Sequence, residues 1–217
     1  SKSGSSRRFP SRSDSPGSHP CPHPKARLPM SETQWPEAES NLRAAERVVF
    51  LLAENGVSAV VIGAVALAAH RYVRHTEDID LGVDADLPKM RALVCALLKD
   101  GFTAELHEPD SNDPLGGVID IRGDFGIVQV VSFADRFPAV IQDALAAEAI
   151  PIRSGSGLRI VPMAQLVALK LYAGGLGSKA DILELLRRNP EADFDTIRAT
   201  CRRYRLRGLD AILAELG

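Results

Sequence analysis

Residues 58–83 constrain the fold more than any other stretch of the chain. Ser58 to Ile62 is a short, apolar, β-branched run suited to a buried strand. Gly63 permits a turn that other residues resist, and Ala64 to Ala69 is rich in helix formers. The segment Arg74-His75-Thr76-Glu77-Asp78-Ile79-Asp80-Leu81-Gly82-Val83 then reads as a second strand. Side chains alternate across a strand, so Asp78 and Asp80 share one face while Ile79, Leu81 and Val83 point into a core and fix the register. Two rises of roughly 3.3 Å place the carboxylates about 7 Å apart, and at an effective dielectric of about 20 they repel by of order 2 kcal/mol. Something positive must offset this. One candidate is a basic neighbour such as Arg74 or His75. The other is a hard divalent cation such as Mg2+, which takes oxygen ligands from one or two carboxylates and from substrate phosphates. The upstream strand, glycine turn and helix favour the cation, because the unpaired N–H groups at a helix start attract phosphate.

The run from Val60 to Val83 resembles the nucleotidyltransferase fold of the DNA polymerase β superfamily, in the minimal bacterial branch that includes the AbiEii-type toxin and MNT-like nucleotidyltransferases. The resemblance implies a mixed α/β (α+β) architecture, a mixed sheet flanked by helices with a helical C-terminal part. In that family a Gly-Gly or Gly-Ser pair after the first strand holds the triphosphate, and an Asp-x-Asp strand binds the metals. The matching residues here are Gly63, Asp78 and Asp80, with Ala64 as the second small residue, which keeps the backbone N–H and lacks a hydroxyl. The likeness extends over roughly residues 40–190 and includes Leu166 to Gly175, similar to the family's lysine helix with Lys170, and Lys179 to Leu186, similar to the acidic helix after it. By resemblance the chain would transfer a nucleoside monophosphate from a nucleoside triphosphate to an acceptor hydroxyl on RNA or protein, with Mg2+ as cofactor. An antitoxin-like partner is implied by the same likeness.

The sequence departs from the family at the third carboxylate. That residue sits on a later strand in an apolar-Asp-apolar-apolar pattern, and the counterpart is Val128-Gln129-Val130-Val131. A neutral amide can ligate through its oxygen but is a poor base. This departure also motivates a different reading, a catalytically silent relative that binds nucleotide or a partner. Val118 to Arg122 and Ile127 to Val131 read as two strands joined by Gly123-Asp124-Phe125-Gly126. If Asp124 and Phe125 form a two-residue loop, Asp120 lies directly across from Gln129 on the same face, and a carboxylate re-enters the site from the adjacent strand.

Other charges have simpler expectations. Lys170 lies on an apolar helix, where it either snorkels to solvent or serves a phosphate. Arg74 could touch the triphosphate, although a salt bridge with Glu77 or Asp78 is the plainer role. Lys179 and Asp181 read as surface charge on a helix, with orienting Lys170 or a substrate as the alternative for Asp181, and His70 and His75 show no zinc-ligand spacing. Arg198, Arg202, Arg203, Arg205 and Arg207 read as a helix face balancing nearby acids rather than as a nucleic-acid surface.

With 217 residues, of which 45% are hydrophobic and 25% charged, the chain can bury one sizeable core. The longest apolar-leaning run, Gly56 to Ala69, is too short for the roughly 20 residues of a spanning helix, so no membrane association is expected. Cys21, Cys95 and Cys201 are scattered and form no CxxC pair, which argues against a disulfide framework and suits the reducing cytoplasm. Residues 1–29 are dominated by serine, proline and glycine and carry six basic side chains against the single acid Asp14. They are expected to be a disordered extension, leaving an acidic α/β domain over 30–162 and a helical part over 163–217. Periodicity predicts a helix ending at Asn55-Gly56, a helix opened by Asp86 and Pro88 and ended by Gly101, strands near 102–107, 117–122, 126–132 and 158–161, and a helix carrying Phe137, Val140, Ile141 and Leu145. The loop from Glu108 to Gly117 is expected at the rim of the site.

Overall fold

A computed structural model describes residues 37–76, 78–110, 113–148 and 150–216. The expectation for residues 1–29 therefore lies outside the described residues. Helix α1 (Glu37–Glu54) closes at Gly56, whose φ of +72° a side chain would oppose, and leads into β1 (Ala59–Ile62). Gly63, at φ +65°, turns the chain into α2 (Gly63–Ala69), and β2 (Asp78–Val83) returns antiparallel to β1. Asp86 caps α3 (Leu87–Lys99), its carboxylate accepting the Lys89 N–H at 2.9 Å. Strands β3 (Thr103–His107), β4 (Gly117–Gly123) and β5 (Gly126–Ser132) form an antiparallel meander, followed by α4 (Pro138–Ala146). A two-residue pair, β6 (Ile150–Pro151) and β7 (Arg159–Ile160), precedes α5 (Met163–Ala173), α6 (Gly175–Arg187), α7 (Phe194–Arg203) and α8 (Leu209–Ala214).

The seven strands form one mixed sheet in the order β3-β4-β5-β2-β1-β7-β6, parallel at β2/β5 and β1/β7 and antiparallel elsewhere. The apolar sides of β2, β4 and β5, with Leu81, Val83, Ile119, Ile121, Val128 and Val130 fully buried, lie under α1 and α3. Met90, Leu93 and Leu97 of α3 meet them. On the opposite face α4 reaches Gly82, where a Cβ would come within 2.8 Å of Ile141 Cδ1. That face also carries Asp78 and Asp80, four and two residues before Gly82 on the same side of the strand. The C-terminal helices share this core, because Leu166, Ile182, Leu185, Ile197 and Ile212 join the same buried cluster as the sheet. Burial of this continuous apolar set is the main favourable term in folding.

Cys201 is a buried free thiol. One expectation is corrected. Asp181 is not surface charge: only 5% of it is exposed. Among the described residues no helix is long and apolar enough to cross a membrane.

Candidate active site

The site grows from the β1–α2 turn and the start of β2. Ile62 pairs with Asp80 across the β1/β2 ladder, so the turn at Gly63 sits against the Asp80 side chain. A Cβ at Gly63 would lie 1.9 Å from Asp80 Oδ2, and the backbone is in a left-handed conformation that favours glycine. Glycine is therefore needed at this position for two separate reasons, the space taken by the carboxylate and the sense of the turn. Ala64 follows on α2, a helix of only two turns. Thr76 steadies the entry to β2, its hydroxyl oxygen accepting the Asp78 N–H at 3.2 Å.

Asp78 and Asp80 project from one side of β2. Burial pushes the Asp80 carboxyl up to about 6; the charge of Asp78 adds to the rise, and the ammonium of Lys170 opposes it. The smaller, electrostatic part of this rise is the repulsion anticipated from an Asp-x-Asp strand, and Lys170 is a cation whose field reaches Asp80. Lys170 itself donates to Asp181 Oδ2 at 2.7 Å, and Arg74 Nη1 donates to both Asp181 oxygens at 3.0 and 2.9 Å. Arg74 thus takes Asp181, on α6, a partner that was not expected, while Glu77, one of its expected partners, lies outside the described residues. A signal for Asp181 was present in the sequence, since it precedes Ile182 by one residue and Leu185 by four and so falls at the edge of that helix's apolar stripe. Asn189 was missed. Its side chain donates to the carbonyls of His70 at 2.7 Å and Leu185 at 2.8 Å, tying the end of α2 to α6. His70 is within 2.8 Å of the Val161 carbonyl and packs α2 toward α5.

Gln129 and Asp120 continue the row. β2 pairs Asp80 with Gln129, and β5 pairs Gln129 with Asp120, the register expected from a two-residue loop at Asp124-Phe125. Gln129 Nε2 donates to Asp120 Oδ1 at 2.7 Å, Arg122 Nη2 donates to Asp120 Oδ2 at 2.6 Å, and His107 Nε2 lies 3.3 Å from the same oxygen. Burial alone would raise the Asp120 carboxyl, but the hydrogen bonds from Arg122 and Gln129, with the charges of Arg122 and His107, outweigh it and hold the group below the ordinary carboxylate range. A carboxylate so engaged is a weak proton acceptor, which argues against the expected use of Asp120 as a catalytic base. The loop before β4 borders the neighbouring face, where the Tyr172 hydroxyl of α5 donates to the Pro114 carbonyl at 2.8 Å.

The residues fit a hard cation with few protein ligands. Asp78 and Asp80 offer carboxylate oxygens beside a glycine turn whose missing Cβ leaves room for them, and Gln129 offers a neutral oxygen on the next strand. Among the described residues no group of three or more His, Cys, Asp or Glu side chains is arranged to hold a metal, so a site here depends on two carboxylates and further oxygens from elsewhere.

Compared with protein-family models and with curated proteins, the sequence gives no match. Solved structures do resemble it. ANT(2'')-Ia in complex with adenylyl-2''-tobramycin matches at a TM-score of 0.52 and 15% identity, over 76% of this chain and 99% of that one. An antigenic nucleotidyltransferase-like protein from Paracoccidioides brasiliensis matches at 0.47 and 16%, over 77% and 88% of the two chains. The Megavirus polyadenylate synthase matches at 0.42 and 12%, over 76% and 40%. With its seven-stranded mixed sheet and helices on both faces, the chain has a nucleotidyltransferase-like fold.

Proposed function

We propose that the chain is a Mg2+-dependent nucleotidyltransferase of the minimal kind, which moves a nucleoside monophosphate from a nucleoside triphosphate to an acceptor hydroxyl. The observation that carries this reading is the placement of Asp78 and Asp80 on one side of β2, with Asp80 against the Gly63 turn and held up to about 6 by burial and by its neighbour's charge. Two carboxylates that repel each other in a half-buried row are a standing demand for a cation. Asp78 and Asp80 would hold Mg2+, with the Gln129 oxygen beside them. When bound, the ion supplies Lewis-acid stabilisation of the attacking and leaving oxygens. Gly63 and Ala64 would present backbone N–H groups to phosphate. Lys170 and Arg74 would contribute positive field, both drawn toward the site's edge by Asp181. Asp120, clamped by Arg122 and Gln129, is not free to take the acceptor's proton.

Label transfer tests the reading. The purified chain, Mg2+ and each α-labelled triphosphate are incubated with total RNA, with protein, and with a hydroxyl-rich small molecule such as tobramycin, since ANT(2'')-Ia is known bound to an adenylylated form of that compound. Transfer that disappears in Asp78→Ala and Asp80→Ala is expected. Transfer that survives both substitutions rules out the site. A second reading is favoured by Gln129 specifically: a silent relative that binds the metal-bound triphosphate without transferring it. Stabilisation by triphosphate and Mg2+ with no label in any acceptor would select it. An antitoxin-like partner and the AbiEii-type branch belong to the first reading, and co-purification of a small protein with the natively expressed chain tests them.

A further inference from the structure

We propose that Asp120 is a positioning residue that acts through Gln129, fixing the amide so that its carbonyl oxygen serves the Asp78–Asp80 pair as a neutral third donor. The inference rests on the metal reading given above and concerns how this chain replaces a missing carboxylate.

The orientation follows from donor and acceptor chemistry. An ionised carboxylate only accepts hydrogen bonds, so the Gln129 group that lies 2.7 Å from Asp120 Oδ1 must be its NH2. The reverse orientation would set two acceptors against each other. With Nε2 committed to Asp120, Oε1 is turned away from it, and the strand on the other side of Gln129 is β2 with Asp80 in register. The carboxylate that enforces this is itself immobilised. Asp120 is 6% exposed, Arg122 occupies Oδ2 at 2.6 Å, and His107 adds a third contact at 3.3 Å.

Asp120 does not reach the ion itself. It lies two strands from Asp80, about 10 Å at the usual inter-strand spacing. Two oxygens on one Mg2+ lie within about 4 Å of each other. Gln129, one strand away, is placed to bridge that gap. The result is a site with two negative charges and an amide, one charge fewer than a three-carboxylate set. Such a site holds the bare ion loosely and gains its remaining ligands from the triphosphate.

A double-mutant cycle read by Mn2+ binding, with the free ion followed by electron paramagnetic resonance in the presence of a non-hydrolysable triphosphate, tests this on the full chain. Asp120→Ala and Gln129→Leu are each expected to weaken Mn2+ binding by about tenfold, the usual cost of removing an outer-shell partner or its ligand. The double variant is expected to bind no more weakly than Gln129→Leu alone, because Asp120 has nothing left to orient. A further loss of about tenfold on adding Asp120→Ala to Gln129→Leu would mean that Asp120 acts directly or through its charge, and would overturn the proposal. So would an Asp120→Ala variant that binds Mn2+ as tightly as the unaltered chain. Thermal unfolding in chelator establishes that each variant folds, and Asp120→Asn replaces Asp120→Ala in the same cycle if the alanine variant does not. Mn2+ binding that is absent, or indifferent to Asp78→Ala and Asp80→Ala, would overturn the metal reading together with this inference. Binding that depends on those two acids but not on Asp120 would overturn the inference alone.

Discussion

At the scale of single residues, Asp80 concentrates the cost of the site. Its carboxyl titrates at about 6 in the folded chain against an ordinary value of 3.8, chiefly because burial disfavours the charge. Without metal, folded and unfolded chains are both protonated below pH 3.8 and no penalty arises. Between that value and about 6 the unfolded chain releases its proton while the folded one retains it, so stability falls as pH rises through this window and stays lower above it. Asp80→Asn removes the penalty. In chelator at pH 7 it is expected to be more stable than the unaltered chain by about 2 kcal/mol, a figure discounted for partial solvent access, and to lose this advantage at pH 4. Urea melts at the two pH values check it, and an advantage that does not change with pH would show that burial is not what strains Asp80. Gly63→Ala acts in the opposite sense. Its Cβ meets Asp80 Oδ2 and its φ of +65° opposes a side chain. The Asp80 carboxylate can swing aside, so the expected stability loss is only about 1 kcal/mol, from the backbone conformation. Transfer or Mn2+ binding should fall far more, by about a hundredfold or greater, equivalent to about 2.7 kcal/mol, as the displaced carboxylate leaves the pair; equal free-energy losses in the two readouts would argue against a site role for the turn.

At the scale of elements, local rules were legible and long-range pairings were not. The Asp120–Gln129 register followed from the length of one loop, because a hairpin propagates its turn along both strands. The Asp86 cap and the glycine-ended helices followed from residues adjacent in sequence. The partner of Arg74 lies 107 residues away on α6, and no local pattern encodes that distance. β7 was legible as the short strand near 158–161, whereas β6 escaped, since a two-residue strand has no period and β6 is defined by its antiparallel partner β7. In the site, the Asp-x-Asp pair and Gly63 were legible because their spacing is itself the geometry. The clamp of Arg122 and His107 on Asp120 was not, because it needs β3, β4 and β5 assembled. Asp181 joins three elements: the segment before β2 through Arg74, α5 through Lys170, and α6 on which it sits. Asp181→Asn keeps the shape and removes the charge. Because the Arg74 side chain is 48% exposed and Lys170 18%, both cations can turn to solvent, and the expected loss is about 1–2 kcal/mol rather than the 3–5 kcal/mol of a fully buried broken pair. For a chain of this size that lowers Tm by roughly 2–8 °C. Differential scanning calorimetry checks it, and an unchanged Tm would mean that the three elements are held by packing alone.

At the scale of the whole molecule, charge decides how a nucleotide can bind. The chain carries 28 acidic against 26 basic residues, and six of the basic ones lie before residue 30 with only one acid, so the described part is acidic. A triphosphate approaching Asp78 and Asp80 meets two carboxylates, while Lys170, whose charge reaches Asp80, and Arg74 are already neutralised in part by Asp181. Repulsion between unit charges about 4 Å apart is of order 4 kcal/mol at an effective dielectric of 20, more than an exposed cation returns. Binding should therefore require the divalent ion and not merely be improved by it. The sheet and the C-terminal helices share one buried cluster, so a ligand held at β2 stabilises the entire chain and reports in its global unfolding. With Mg2+ and triphosphate at about a hundred times the dissociation constant, stabilisation of about 2.7 kcal/mol is expected, a rise in Tm of roughly 5–10 °C. Triphosphate in excess chelator should give no rise, and Mg2+ alone only a small one. An equal rise with and without the ion would place the phosphate-binding energy in the protein's own cations, and Asp78 and Asp80 would then have to be read as something other than a metal pair.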